Sequence, residues 1–261
     1  MANLKRFRDR YYKNTKSWNF YKGCNHGCIY CWARRQDKRQ KPTTDKNGKP
    51  RGCLKCYNFE PHLHKDRLEL SQIPHKEIVC VAGDSDPQFM PRTTVLEAIK
   101  LIKERNKQNL KRVKKQVFYF QSKNPSCFQQ YLRYFPDNVI LLTTLETNRN
   151  YKVSIAPLPK KRYEDFFNLK WENKKVVTVE PLLDFDLDIF SKWLIQIKPL
   201  YIYIGYANPQ TKKSILKQLK EPSLFKVEML ILELLRNGID VVIKDLRTET
   251  LPDILTSLIE V

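Results

Sequence analysis

Three cysteines stand within eight residues of one another, in Gly23-Cys24-Asn25-His26-Gly27-Cys28-Ile29-Tyr30-Cys31. Thiolates are metal ligands, and this close spacing suits ligation better than a disulfide framework in a chain of this length. Structural zinc sites take four ligands, usually in paired knuckles, and no fourth cysteine stands nearby. A [4Fe-4S] cubane held by three thiolates leaves one iron open to a small chelating molecule. Gly23 and Gly27 let the backbone curl around a bulky group, because glycine tolerates positive φ. The alternative is a zinc site that adds His26 to the three cysteines, or one shared with Cys53 and Cys56.

A second group follows. Cys53-Leu54-Lys55-Cys56 precedes Pro61-His62-Leu63-His64. Two cysteines and two histidines this close predict a tetrahedral zinc site. It would hold together a loop-rich insert over residues 41–66, since metal binding supplies folding energy. Zinc fingers leave roughly three to five residues between their histidines. One intervening residue is tighter, and favours one histidine as a ligand and the other not. The same four residues are also open to three further readings: an auxiliary iron–sulfur cluster, free thiols in a structural insert, or a histidine at the barrel mouth donating protons. Cys80, in Ile-Val-Cys-Val, reads as a small buried hydrophobe.

The elements that must position these groups are legible along the rest of the 261 residues. Strand-length apolar runs recur at Ile78–Ala82, Val117–Phe120, Val139–Leu142, Val176–Val179, Tyr201–Ile204 and Val241–Ile243. A further one lies at Trp18–Tyr21. Helical segments fall at Thr93–Arg105, Ser126–Phe135, Ile189–Ile197 and Leu224–Arg236, and Cys31–Gln40 also reads as helical. Short β-branched runs separated by helices predict an α/β fold with a parallel sheet, here as one domain over 1–261.

The composition, 41% apolar and 29% charged, excludes a collagen, a coiled-coil rod and a wholly disordered chain. No run approaches the roughly 20 apolar residues of a membrane span. Met1–Lys16 has no apolar core for a secretory signal, so the chain reads as cytoplasmic. Lys+Arg 48 against Asp+Glu 28 gives +20. Positions 1–65 hold 17 basic and 4 acidic residues, +13, which leaves +7 for the other 196. Such a field attracts polyanions and weakens with salt. The alternative is a lysine-rich solubility surface. The basic arm 1–17 carries Phe7, Tyr11 and Tyr12, suited to binding phosphates and stacking bases. It reads as an irregular layer or a short helix.

The cysteine loop, with an aromatic Tyr30 before its last cysteine and a strand before its first, resembles that of the radical S-adenosylmethionine (SAM) superfamily. Trp18-Asn19, the Glu180-Pro181-Leu182-Leu183 turn and the Gly205 segment resemble a small phage-associated branch, and the loop Cys24 to Cys31 is similar to that of the branch around spore photoproduct lyase. The resemblance implies a partial (βα)6 TIM-like barrel. It implies a cluster on Cys24, Cys28 and Cys31 whose open iron binds the amino and carboxylate groups of SAM, and an electron donor. The radical released from SAM then abstracts hydrogen from the substrate.

The resemblance also implies SAM contacts at the turns after the strands. Gly83-Asp84-Ser85-Asp86 stands where the family carries a Gly-Gly-Glu-like turn, so Asp84 or Asp86 inherits the amino group. A helix N-cap is the alternative there. Ser122 and Lys123 suit the SAM carboxylate, or a plain helix-starting turn. Glu146 or Asn148 suits the ribose. Glu180 faces SAM or substrate, or pairs with a lysine. The segment Gly205 to Asn208 suits the adenine, and Cys127 and Tyr206 are radical-relay candidates.

The expected function is hydrogen abstraction from a nucleic-acid or nucleotide-like substrate, in modification or repair. The alternatives are a protein or peptide substrate, and a non-catalytic, zinc-bound nucleic-acid-binding protein.

Overall fold

The computed structural model describes residues 2–6, 14–48, 50–108, 116–171, 174–208 and 211–246. The arm's Phe7, Tyr11 and Tyr12 lie outside them. Eight strands form one all-parallel sheet: β1 (Leu4–Arg6), β2 (Thr15–Trp18), β7 (Ile78–Val81), β8 (Val117–Gln121), β9 (Val139–Thr144), β10 (Lys175–Val179), β11 (Tyr201–Ile204) and β12 (Val241–Ile243). Their order is β1-β12-β11-β10-β9-β8-β7-β2, and the sheet curls into a half-barrel. Two short antiparallel pairs stand apart from it: β3 (Tyr21–Lys22) with β6 (His62–Leu63), and β4 (Thr43–Thr44) with β5 (Pro50–Arg51).

The six apolar runs from Ile78 onward all form strands, within two residues of their predicted ends. Parallel strands need crossovers, and helices supply them. These are Arg92–Gln108, a 3-10 segment Pro125–Tyr134, Pro159–Asn168, Leu187–Ile197 and Leu224–Arg236. In the last of these Val227, Leu230, Ile231 and Leu234 are buried, one stripe at helical spacing. The Ser223 side chain caps it by accepting from the Lys226 amide at 3.3 Å.

Alternation along the strands separates two faces. Val79, Val81, Phe118, Phe120, Leu141, Val177 and Ile202 join the large core shared with the helices. Ile78, Tyr119, Leu142, Val176, Tyr203 and Val242 form a second cluster on the inner face.

Three sequence expectations need correction. The basic arm carries two edge strands among its described residues, Leu4–Arg6 and Thr15–Trp18, with Asn14 helical just before the second. The Trp18–Tyr21 strand is two elements, since β2 ends at Trp18 and β3 turns away to pair with the insert. Cys80 is not fully buried. It points to the inner face, half-buried, with its thiol pushed up to about 11 by burial. Among the described residues no helix is long and apolar enough to cross a membrane.

Candidate active site and candidate metal centre

A cavity of about 490 Å³ opens along the inner face and the C-terminal ends of the strands, where α/β folds place their ligands. Cys24, Cys28 and Cys31 all line it, on a loop that leaves β3. The loop is fastened on three sides. The Ile29 amide donates to the Val153 carbonyl at 3.0 Å, and the Ile155 amide to the His26 carbonyl at 2.9 Å. Ser85 Oγ donates to the Gly23 carbonyl at 2.7 Å. Gly23 has a φ of +87°, and a Cβ there would lie 2.1 Å from the Glu60 carbonyl oxygen, so only glycine fits. Cys31 caps the helix Trp32–Asp37, its Sγ accepting from the Arg34 amide at 3.4 Å. The Arg34 guanidinium donates to the Cys24 carbonyl at 3.2 Å.

Burial pushes the Cys24 thiol up to about 12 and raises that of Cys31, outweighing the amide donors that favour their thiolates. Thiolates here therefore need a strong counter-charge, as an iron or zinc centre would provide.

Asp86 is the structural hub beneath the loop. Its buried carboxylate accepts from His26 Nε2 at 2.7 Å, Ser122 Oγ at 2.7 Å, and the Lys123 and Gln88 amides at 2.9 Å each. This welds the cysteine loop to the turns after β7 and β8, and makes Asp86 the N-cap of a short 3-10 turn, Pro87–Phe89. Both oxygens are occupied. His26 accordingly bonds Asp86, and it lines the cavity together with the three thiols. Asp84 differs: its Oδ2 accepts from Asn19 Nδ2 at 2.7 Å, with Lys22 Nζ at 3.5 Å. Its Oδ1 has no hydrogen-bond partner among the described residues. Burial raises its pKa.

Lys123 lines the cavity and bonds the Tyr30 hydroxyl and Glu146. Glu146 itself is not in the cavity wall. It is buried behind Tyr30, whose hydroxyl donates to it, and is paired to Arg162 at 2.7 Å. Burial opposes its charge, but Arg162 and Lys123 prevail and hold the carboxyl well below the usual carboxylate range.

Of the remaining predicted residues, Gly83, Ser122, Glu180 and Asn208 line the cavity. Glu180 there pairs with Lys244. Asn148 lies apart, bonded to Asp186. Cys127 lies behind Ser122, its thiol donating to Oγ at 3.5 Å. The buried Tyr206 hydroxyl donates to the Pro222 carbonyl at 3.0 Å. Neither Cys127 nor Tyr206 is in the cavity wall.

Sequence reasoning missed Lys244, Tyr119, Tyr203 and the exposed Trp32, which also line that wall. Lys244 carried the same signal as Glu180, a charged residue ending an apolar strand.

The insert brings Cys53, Cys56, His62 and His64 together, with one ligand atom from each within 4.8 Å of all the others. Among the described residues this is the group of three or more Cys, His, Asp or Glu gathered so closely. The three loop cysteines share a cavity wall without closing to that spacing. Both histidines join the group, against the expectation of one, because the strand β6 presents His62 on one side and ends in a turn that returns His64 to Cys56. No protein-family model matches this chain, and none of the curated proteins matches it.

Proposed function

We propose that the chain is a radical SAM enzyme built on a partial (βα)6 barrel, with Cys24, Cys28 and Cys31 holding a [4Fe-4S] cluster. The observation that carries this reading is the convergence of the three loop thiols on one large cavity at the C-terminal edge of a parallel sheet, whose wall also holds the Cys80 thiol of β7. When bound, the cluster and SAM supply a carbon radical that removes hydrogen from the substrate.

The chain's own residues hold and orient. Asp84, with one oxygen unoccupied, accepts from the SAM ammonium group. Lys123 and Asn208, which line the same cavity, take the SAM carboxylate and adenine. Asp86, Glu146 and Arg162 act beneath the wall and keep the loop and Lys123 in place. Glu180 and Lys244 present a charge pair to the cavity, available to substrate.

The charge supports a nucleic-acid or nucleotide-like substrate. Positions 1–65 carry +13 of the +20, and Trp32, 47% exposed, lines the cavity and offers a stacking surface.

The test is anaerobic reconstitution with iron and sulfide, followed by reduction in the presence of SAM and candidate polymers. About four irons per chain at the loop and release of 5′-deoxyadenosine are expected. Both should disappear in the variant Cys24→Ala, Cys28→Ala, Cys31→Ala. A colourless protein that binds only zinc at these thiols refutes the reading and supports the non-catalytic one. Turnover on peptides but not on polymers refutes the substrate class.

A further inference from the structure

The second cysteine–histidine group is a separate site, and none of its four residues lines the cavity. His62 Nε2 lies 3.3 Å from Cys53 Sγ and 3.4 Å from Cys56 Sγ, and Cys56 Sγ lies 3.1 Å from His64 Nε2. Hydrogen bonding does not account for this set. His62 Nδ1 donates to the Glu60 carbonyl at 2.7 Å, so in the neutral ring Nε2 offers a single lone pair, yet two sulfurs face it. A tetrahedral ion does account for it. With Zn–S of about 2.3 Å and Zn–N of about 2.0–2.1 Å, the nitrogen–sulfur edge of a tetrahedron is about 3.5 Å. The Nδ1–H to carbonyl bond is the outer contact that fixes a ligating imidazole's tautomer and aims its other nitrogen at the metal.

We infer that Cys53, Cys56, His62 and His64 bind one zinc-class divalent cation, and that this ion fastens the strand that delivers Cys24 to the cavity. Binding releases one proton from each thiol, and two thiolates with two neutral imidazoles balance the dication. The ion is needed because the insert holds itself together poorly. Its helix Leu54–Asn58 has five residues and each ladder pairs two, far below lengths that persist alone.

The path from ion to loop is short. His62 pairs with Lys22 in the β3–β6 ladder, and Gly23 and Cys24 follow directly. The His64 amide donates to the Phe20 carbonyl at 2.7 Å. Phe59, three residues past Cys56, lines the cavity and lies 5.4 Å beneath the Arg34 guanidinium that holds the Cys24 carbonyl. The metal assignment stands whatever the loop cysteines bind. The fastening role rests on the loop's place in the cavity, not on its cofactor.

Three measurements on the full chain test it. Elemental analysis should find one zinc per chain in the wild type and in the variant lacking Cys24, Cys28 and Cys31, and none in Cys53→Ser/Cys56→Ser. Cobalt(II) titrated into metal-stripped wild type should give the strong visible bands of a tetrahedral sulfur-ligated ion. In His64→Cys these should persist with added sulfur-to-cobalt intensity, a readout that survives if the double variant fails to fold. Chelation of the zinc should speed amide exchange at Tyr21, Lys22 and the loop after them at least tenfold, while β9 and β10 are unchanged. Zinc retained by the double variant, zinc lost with the loop cysteines, iron in place of zinc at this group, or an unaltered cobalt spectrum in His64→Cys overturns the assignment. Unchanged exchange in the loop overturns the fastening role.

Discussion

Replacing Gly23 with alanine tests how tightly the cysteine loop is seated on the insert. Gly23 has a φ of +87°, and a left-handed conformation costs an L-residue about 1–2 kcal/mol. The new Cβ would also lie 2.1 Å from the Glu60 oxygen and 2.6 Å from the Pro61 nitrogen. Both are backbone atoms, and the Glu60 carbonyl is held by His62. Relief therefore means parting β3 from β6, and overpacking of this kind costs typically about 1–3 kcal/mol. Together the two contributions give about 2–5 kcal/mol, or a fall in Tm on the order of 5–15 °C for a chain of this size. Gly27→Ala is the control. Its φ is +65°, but the nearest atom to its Cβ would be Ile155 Cγ1 at 3.9 Å. Only the conformational cost applies, so the fall should be a few degrees. Thermal unfolding by circular dichroism reads both variants, and alkylation of Cys24 in the native protein should accelerate only in Gly23→Ala. Equal Tm shifts in the two variants would refute the seating argument.

Glu146→Gln strands two cations, Arg162 and Lys123, and should cost about 3–5 kcal/mol at neutral pH. The wild-type carboxyl titrates below its unfolded pKa of about 4.3, so its contribution is complete above that pH and is lost as pH falls further. Acid unfolding of the variant should be flatter below about pH 4.3, and identical acid limbs would sink this account. Asp86→Ala leaves four donors unpaired and should lower stability by about 3 kcal/mol or more. Asp84→Ala leaves the Asn19 amide without its acceptor while Lys22 keeps Asp37, so it should cost about 1–3 kcal/mol, less than Asp86→Ala, and weaken SAM binding to the reconstituted protein; a loss larger than that of Asp86→Ala would show that the two carboxylates were assigned wrongly. If about six lysines or arginines contact a single-stranded polymer, log K should fall with log[salt] at a slope of about −4 to −5, and a flat response would favour a peptide substrate.

The strands of the sheet were legible because each is an apolar, β-branched run bounded by turn residues. The helix Pro159–Asn168 was not, because only Pro159, Arg162 and Phe166 of its ten residues are buried and no apolar stripe marks it. That gap hid Arg162, and with it the reason Glu146 is held behind the cavity wall. β1 was hidden for a related reason. Leu-Lys-Arg has one apolar side chain, and its place depends on Asp240, which accepts from the Asn3 amide at 2.7 Å across 237 residues of sequence. The cysteine loop was plain from spacing, but the division of labour between Asp84 and Asp86 was not. Both precede Pro87, and the direction of the backbone after Ala82, at a φ of +47°, decides which carboxylate turns under the loop.

The two edges of the sheet, β1 and β2, are near neighbours in the chain. From Arg6 to Thr15 is nine residue steps, a reach of at most about 32 Å. Laid flat, eight strands would separate those edges by about 34 Å, before the length of a strand is added. A flat sheet is therefore out of reach: it must curl, or give up the β1–β12 pair. The number of residues between the two strands sets an upper bound on how far apart the edges can lie, and so on how far the half-barrel can open. Lengthening the connection by a few residues would let the mouth widen without altering a single residue of the cavity wall, and shortening it would narrow the aperture available to a large substrate.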